Sequence, residues 1–312
     1  MATIVVTGVA GFIGSHTAEQ LVAAGHRVVG VDNFRTGRRE NLSGLLRHEN
    51  FSLHQSDVAA DGALDTLVAE CAPAAIVHLA ALVSVQESVA NPELNFRLNL
   101  QATHLVAEAA RRHRVPRVVF ASSAAVYGNS GKLPLQESEK GNPISPYGAA
   151  KLASENLLLG HAQSYHFTAI CLRYFNVYGP RQDPASPYSG VLSIFARGFR
   201  RGEAVTVFGD GRQTRDFIAV GDVARANLIA ATKADVASGA ANICTGQQVS
   251  LEKVLDIFAA RHPCTPAPRH APARPNDILH SCGDTAKAKI DLGFAAEVQI
   301  ESGLAKLIGT VD

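Results

Sequence analysis

Thr7-Gly8-Val9-Ala10-Gly11-Phe12-Ile13-Gly14 follows a short apolar run, Ile4-Val5-Val6, and opens directly into a helical pattern over residues 13–24. A strand that turns through three glycines into a helix is the start of a βαβ unit. Each glycine has its own physical task. Gly8 permits the tight turn, Gly11 lets the backbone approach a pyrophosphate, and Gly14 allows helix to pack closely on strand. The helix N-terminus adds unpaired N–H groups and the positive end of a dipole, both suited to an anion. The spacing is GxxGxxG, not the usual GxGxxG, and alone it could serve turn and packing only.

Further apolar runs of strand length lie at 27–31, 75–79, 117–121 and 168–172. They are near-continuously hydrophobic, as expected of parallel strands covered on both faces. Helical patterns at 95–112 and 147–164 continue the alternation, which predicts an α/β fold, a Rossmann-like doubly wound parallel sheet. Past residue 176 proline, glycine and short mixed segments take over, with five prolines in the loop-like stretch 263–275. The expected organisation is a dinucleotide-binding domain over 1–175, with 217–245 returning to it as helix and strand. A smaller C-terminal α+β substrate lobe is expected from 176–216 and 246–312.

Composition narrows the class. The chain has 312 residues, 46% of them apolar, enough for a sizeable core. A net charge of +1 without a basic block argues against nucleic acid as a partner. Five scattered cysteines, odd in number and never in CxxC spacing, point to a reducing compartment with neither disulfide framework nor metal site. The N-terminus carries no charged region followed by an apolar stretch, and no apolar run is long enough for a bilayer. A cytoplasmic protein without membrane contact is expected.

Two carboxylates support the dinucleotide reading. The second strand ends at Val31-Asp32-Asn33, where a carboxylate can accept from both ribose hydroxyls of NAD and would repel a 2′-phosphate. Arg35, Arg38 and Arg39 stand close by and leave NADP open. Asp57-Val58 follows the third strand; the carboxylate there could meet an adenine amino group or, equally, cap a helix.

A chemical constellation follows. Tyr147 and Lys151 are spaced i and i+4, neighbours on one helix face. A phenol is a poor base at its ordinary pKa of about 10, and lowering it by about three units takes roughly 4 kcal/mol. The Lys151 ammonium and a positively charged nicotinamide could supply that. Ser122-Ser123-Ala124-Ala125-Val126-Tyr127-Gly128 comes just after the fifth strand, the end at which open α/β sheets bind ligands. Ser123 could there hold the reacting oxygen while Tyr147 exchanges its proton, and Ser122 could be a turn former.

These residues resemble the extended short-chain dehydrogenase/reductase family, and within it the UDP-sugar 4-epimerases. The resemblance covers essentially the whole chain. It rests on the glycine turn, His78-Leu79-Ala80-Ala81, Asn99, the serine segment at 122–128, Ser145-Pro146-Tyr147-Gly148-Ala149-Ala150-Lys151 and Arg173-Tyr174-Phe175-Asn176. It continues through Gly209-Asp210-Gly211, Arg215-Asp216-Phe217 and Arg274-Pro275-Asn276-Asp277. It implies Ser123, Tyr147 and Lys151 as the catalytic set. It implies NAD held by Gly8, Gly11, Phe12, Ile13, Gly14, Asp32, Asn33, Asp57, Val58, Leu79, Ala80, Ala81, Asn99, Tyr147, Lys151 and Phe175.

A UDP-sugar would be held by Ser84, Ser123 and Tyr147, with Asn176 at the phosphates, Arg215 and Arg274 at the pyrophosphate and Asp277 at a uridine ribose hydroxyl. Guanidinium forks suit a doubly anionic pyrophosphate. Val191 and Phe208 would face uracil, although Phe208 could equally be core. Related dehydratases and decarboxylases resemble this chain but carry acidic residues where it has Ala124 and Ala125, and neither alanine can move a proton. UDP-glucuronate 4-epimerases typically have threonine in place of Asn176. Galactose-restricted relatives carry tyrosine where this chain has Ser281; serine leaves room for an N-acetyl group unless it is merely a small surface residue. Gln182-Asp183-Pro184 is likewise similar to the N-acetylhexosamine epimerases.

The expected activity is NAD-dependent 4-epimerisation of UDP-GlcNAc and UDP-GalNAc through a transient 4-keto sugar. A UDP-glucose/UDP-galactose 4-epimerase or a UDP-uronate-modifying enzyme is the alternative. A non-catalytic NAD sensor on the same fold is a distant one, with no use for Ser123, Tyr147 and Lys151. The resemblance also implies a homodimer built on helices 93–112 and 147–164, which carry Leu98, Leu105, Leu152 and Leu157.

Overall fold

The structure, a computed structural model, describes residues 1–183, 190–273 and 278–310. Six strands, β1 (Thr3–Thr7), β2 (Arg27–Asp32), β3 (Phe51–Gln55), β4 (Ala75–His78), β5 (Arg117–Ser123) and β6 (Thr168–Tyr174), are joined by a seventh at Gly239–Ile243. Across the sheet the order is Gly239–Ile243, β6, β5, β4, β1, β2, β3, and every pairing is parallel. The chain reverses direction of growth between β1 and β4, which opens a crevice at the carboxyl ends of these strands.

The helices are α1 (Phe12–Ala23), α2 (Ala63–Cys71), α3 (Val85–Ala90), α4 (Pro92–Asn95), α5 (Ala102–Arg112), α6 (Pro146–Tyr165), α7 (Val191–Arg201), α8 (Val220–Thr232), α9 (Leu251–Ala259) and α10 (Ile300–Ile308). Successive strand side chains point to opposite faces. Ile4 and Val6 therefore join Leu21, Val223 and Ala226 in a core beneath α1 and α8, while Val5 joins Val68, Val106 and Leu158 beneath α2, α5 and α6. Burial on both faces is what makes the strands read as unbroken apolar runs. A third core, with Phe195, Phe199, Phe258 and Leu304, binds α7, α9 and α10 together.

Three details differ from the sequence reading. β5 and β6 each run two residues further than expected, because Ser122 and Ser123 pair with Arg173 and Tyr174. Ser123 thus ends the strand instead of following it. The helix expected over 95–112 is interrupted: Phe96–Gln101 winds in wider turns between α4 and α5, a device that re-aims side chains, here Asn99. The proline-rich stretch holds a short strand, Arg269–Ala271, where no proline interrupts pairing with Thr206–Phe208. On the helices proposed for pairing two chains, Leu98 is buried in the sheet-side core, Leu157 packs on it, Leu152 packs beside Val126 and Tyr127, and Leu105 is half-buried. The large apolar residues that these helices and α3 do expose are Val85, Val89, Phe96 and Tyr165. No helix among the described residues is long and apolar enough to cross a membrane.

One buried histidine couples β1, β4 and α5. Thr7 Oγ1 accepts from Leu79 N at 3.1 Å and Ala80 N at 3.2 Å, so its own proton goes to His78 Nδ1 at 2.8 Å. His78 Nε2–H then faces Thr103 Oγ1 at 3.4 Å, whose hydroxyl donates to Asn99 O at 2.6 Å. Burial holds this imidazole neutral, pushing its pKa down to about 3 from 6.5. Below the unfolded value the unfolded chain binds a proton that the folded one refuses. Stability is therefore lost as pH falls from about 6.5 toward 3, by about 1.4 kcal/mol per unit from this group. His78→Asn, measured by urea unfolding at a series of pH values across that window, should show a slope shallower by about one proton.

Candidate active site

The glycine turn is built as tightly as its sequence implies. Gly8 has φ of 68°, and a Cβ there would lie 2.8 Å from Ala80 N. A Cβ on Gly14 would lie 2.1 Å from the Gly8 carbonyl oxygen, so α1 can stand on β1 only with glycine at this place. Gly11 caps α1 without a side-chain acceptor, and the first turn, which carries Phe12 and Ile13, contains no acidic residue. Its N–H groups are thus available to an anion.

Asp32, buried at the end of β2, accepts from Ala10 N and Phe34 N, each at 2.8 Å. Burial raises its pKa, and the two backbone donors oppose the rise. Asn33 is exposed and its side chain accepts from Arg35 N at 3.0 Å. Arg35 pairs with Glu87 and Arg38 with Asp183, so both guanidinium groups face carboxylates. Asp57 accepts from Ala59 N at 2.9 Å and meets Arg97 at 3.3 Å, beside the buried Val58. Leu79, Ala80 and Ala81 follow β4 in the loop pinned by Thr7. Asn99 braces the same loop, accepting from Leu82 N and donating to Leu82 O, both at 3.1 Å. An uncapped helix N-terminus, a turn whose glycines leave no room for Cβ atoms and a carboxylate ending β2 together fit a dinucleotide.

The candidate catalytic groups converge at the end of β5. Ser145 caps α6 by accepting from Gly148 N at 3.1 Å, and Ser88 of α3 accepts from Tyr147 N at 3.2 Å. Tyr147 is thereby held at the first turn, its phenol beside Ser123. Burial pushes the phenol up, and Ser123 counters. One turn on, Lys151 Nζ donates to Ala121 O at 2.8 Å and lies 5.8 Å from the Tyr147 ring centre. Burial drives the ammonium down to about 7, with Glu155 opposing. Enclosure alone thus moves both groups toward neutrality, and charges in the site must reverse it.

Beyond β6 a cavity of about 530 Å³ is lined by Asn176, Val191, Phe208, Gln213 and Arg215 among others. Phe208 is 36% exposed, so it is a cavity wall and not core. Asn176 donates through Nδ2 to Asp216 O at 3.2 Å, and Arg215 donates to Thr214 O at 3.0 Å. Ser281 is 7% exposed, which removes the reading of a small surface residue; its N–H donates to Thr214 O at 3.1 Å. Two residues on, Gly283 packs on the ring of buried Phe175, where a Cβ would come within 2.6 Å. Ser84 is buried and caps α3, accepting from Glu87 N at 2.9 Å. Arg274 and Asp277 lie outside the described residues.

Three residues were given no role by the sequence reading. Ser88 carries no sequence signal. Asp216 is fully buried and accepts from Thr245 N, Thr245 Oγ1, Gly246 N and Gly283 N, tying the 245–246 and 283 segments together. Glu155 pairs with Arg173 inside the core; its signal was available, since it stands four residues beyond Lys151 on the same face.

Known proteins agree with this geometry. The chain is 37% identical over 304 residues to a UDP-glucose 4-epimerase of Mycolicibacterium smegmatis, covering 97% of this chain and 96% of that one. It superposes on the UDP-glucose 4-epimerase of Thermotoga maritima, solved with UDP-glucose, with a TM-score of 0.93 at 35% identity over 99% and 98% of the two chains. The UDP-N-acetylglucosamine 4-epimerase of Methanobrevibacter ruminantium, solved with UDP-N-acetylmuramic acid, gives a TM-score of 0.93 at 35% identity over 99% and 97%. The profile of the NAD dependent epimerase/dehydratase family matches residues 4–244. With the glycine turn, Asp32 and the Ser123–Tyr147–Lys151 cluster in place, the chain belongs to that family of NAD-using enzymes.

Proposed function

We propose that this protein is a 4-epimerase of UDP-hexoses that favours the N-acetylated pair, UDP-GlcNAc and UDP-GalNAc. The observation that carries the reading is the meeting of Ser123, Tyr147 and Lys151 at the strand end, between the glycine turn and the cavity beyond β6. Residues 1–175 with 217–245 would hold the cofactor, and 176–216 with 246–312 the nucleotide sugar. When bound, NAD supplies reversible oxidation and reduction at sugar C4. Tyr147 takes the proton of the 4-hydroxyl as the 4-keto sugar forms and returns it afterwards. Ser123, beside that phenol, orients the reacting oxygen. Lys151 contributes positive charge beneath the phenol. Ala124 and Ala125 offer no second acid or base, so the chemistry stays at C4. Asn176, Val191, Phe208 and Arg215 would hold the UDP moiety, with Arg274 and Asp277 completing the grip.

The buried Ser281 supports the acetylated preference, because a small side chain there keeps space that tyrosine would fill. A preference for UDP-glucose and UDP-galactose is the second reading, favoured by the activity named for the M. smegmatis and T. maritima relatives. Chromatography of purified protein incubated with UDP-GlcNAc and with UDP-glucose separates the two. Ser281→Tyr should depress the acetylated reaction about tenfold or more relative to the other, and equal loss of both would defeat the gate. Tyr147→Phe should lower kcat by about 10²–10⁴-fold while the protein stays folded; turnover near the parent rate would remove Tyr147 from the chemistry. A pair of chains in solution belongs to the same reading, supported by the apolar Val89, Phe96 and Tyr165 exposed on neighbouring helices. Light scattering should give twice the chain mass, and a monomer at micromolar concentration would count against it.

A further inference from the structure

Glu155 stands one helical turn beyond Lys151 and is 2% exposed. Its Oε1 accepts from the Ser122 hydroxyl and from Arg173 Nε at 2.9 Å, and its Oε2 accepts from Arg173 Nη2 at 2.7 Å. Arg173, buried in β6, gives its other arm to the Tyr127 hydroxyl at 3.0 Å, and Tyr127 donates to Asn242 Oδ1 at 2.6 Å. Ser122 lies between two residues of the site. On one side is Ala121, whose carbonyl holds the Lys151 ammonium; on the other is Ser123. Through one hydroxyl, then, the carboxylate reaches the strand end that presents both groups. By the i, i+4 geometry of α6 it also stands beside Lys151 itself.

We propose that Glu155 is a positioning residue for proton exchange at Tyr147: clamped by Arg173, it locks the Ala121–Ser123 strand end and supplies the negative charge that holds the Lys151 ammonium in place. The inference rests on the epimerase reading and assigns a task to a buried ion pair that fold stability alone does not require. A buried pair gains little over apolar residues of the same shape.

The surroundings of Lys151 leave Glu155 as its electrostatic partner. From β4 comes His78, held neutral by burial. β5 presents the Phe120 ring 4.8 Å from the ammonium. From β6 come Arg173, engaged by Glu155, and Cys171, whose thiol burial pushes well above its ordinary value. On α6 itself stand Tyr147 and, ten residues beyond Lys151, His161 with Glu108 and His104 of α5. Ten residues are about 15 Å along a helix. Glu87 of α3 is engaged by Arg35. An enclosed ammonium deprived of its carboxylate sheds its proton at lower pH, and the phenolate then loses the charge beneath it.

The test uses the NAD-loaded protein. Glu155→Gln should move the alkaline limb of the kcat–pH profile to lower pH by about one unit. The same variant should move the ionisation of Tyr147 to higher pH. That ionisation is read as the phenolate absorbance difference between each protein and its Tyr147→Phe counterpart, which is clean in a chain with six tyrosines and no tryptophan. Glu155→Gln leaves Arg173 buried without its partner, so the double variant Glu155→Leu/Arg173→Met, with no buried charge to satisfy, should show the same two shifts. Folded variants with the parent profile and the parent Tyr147 titration would overturn the proposal. So would failure of both to fold, since the pair's task would then be the fold itself. A parent protein inactive on every UDP-hexose would instead defeat the epimerase reading, while the phenol titration would still decide the part of Glu155.

Discussion

The Asp216 carboxylate is the interaction on which the substrate side depends. It has no solvent exposure, and burial raises its pKa, yet four donors from the 245–246 and 283 segments converge on it. Its own carbonyl takes both the main-chain and side-chain N–H of Asn176. A buried carboxylate missing even one such donor is costly, so this constellation forms as a unit. It fixes Asn176, the turn after the Gly239–Ile243 strand and the stretch leading back to Ser281 relative to one another. These segments meet through a polar knot, which sets geometry more sharply than an apolar contact of similar size would.

The opposite condition rules at the end of β5. Tyr147 and Lys151 share an enclosure that disfavours charge on either, and the proposed chemistry needs charge on at least one. Ser123 and Glu155 are the residues of this chain that push back. The fold brings these groups together by continuing β5 and β6 through the serine pair, so that one strand end carries both Ser123 and Ser122, the partner of Glu155.

Much of this was legible in the sequence, for identifiable reasons. The glycine turn, Asp32 and the Tyr147/Lys151 spacing are local patterns with local causes, and they appear where the pattern places them. β3 was harder to delimit, because it is an edge strand whose last residues, His54 and Gln55, are exposed and break the apolar run. The wide turns at Phe96–Gln101 left no mark in periodicity, since Asn99 is re-aimed by a change of pitch and not by composition. Ser88, Ser122 and Asp216 act through partners far away in the chain, and no spacing rule finds a contact between Ser122 and residue 155. Which face of the helices carrying Leu98, Leu105, Leu152 and Leu157 turns to the sheet was not legible either, because the same 3.6-residue period serves any face of a helix and only packing shows which one turns inward.

The Arg35–Glu87 and Arg38–Asp183 pairs join the loop after β2 to α3 on one side and to the loop following Asn176–Tyr178 on the other. Both pairs retain solvent exposure, so each contributes no more than about 1 kcal/mol and weakens as salt shortens the Debye length. The glycine turn and the Asp32 contacts are buried and feel no such screening. The loop across the glycine turn is therefore a clasp graded by ionic strength, tightest in dilute buffer, laid over a grip that salt does not touch.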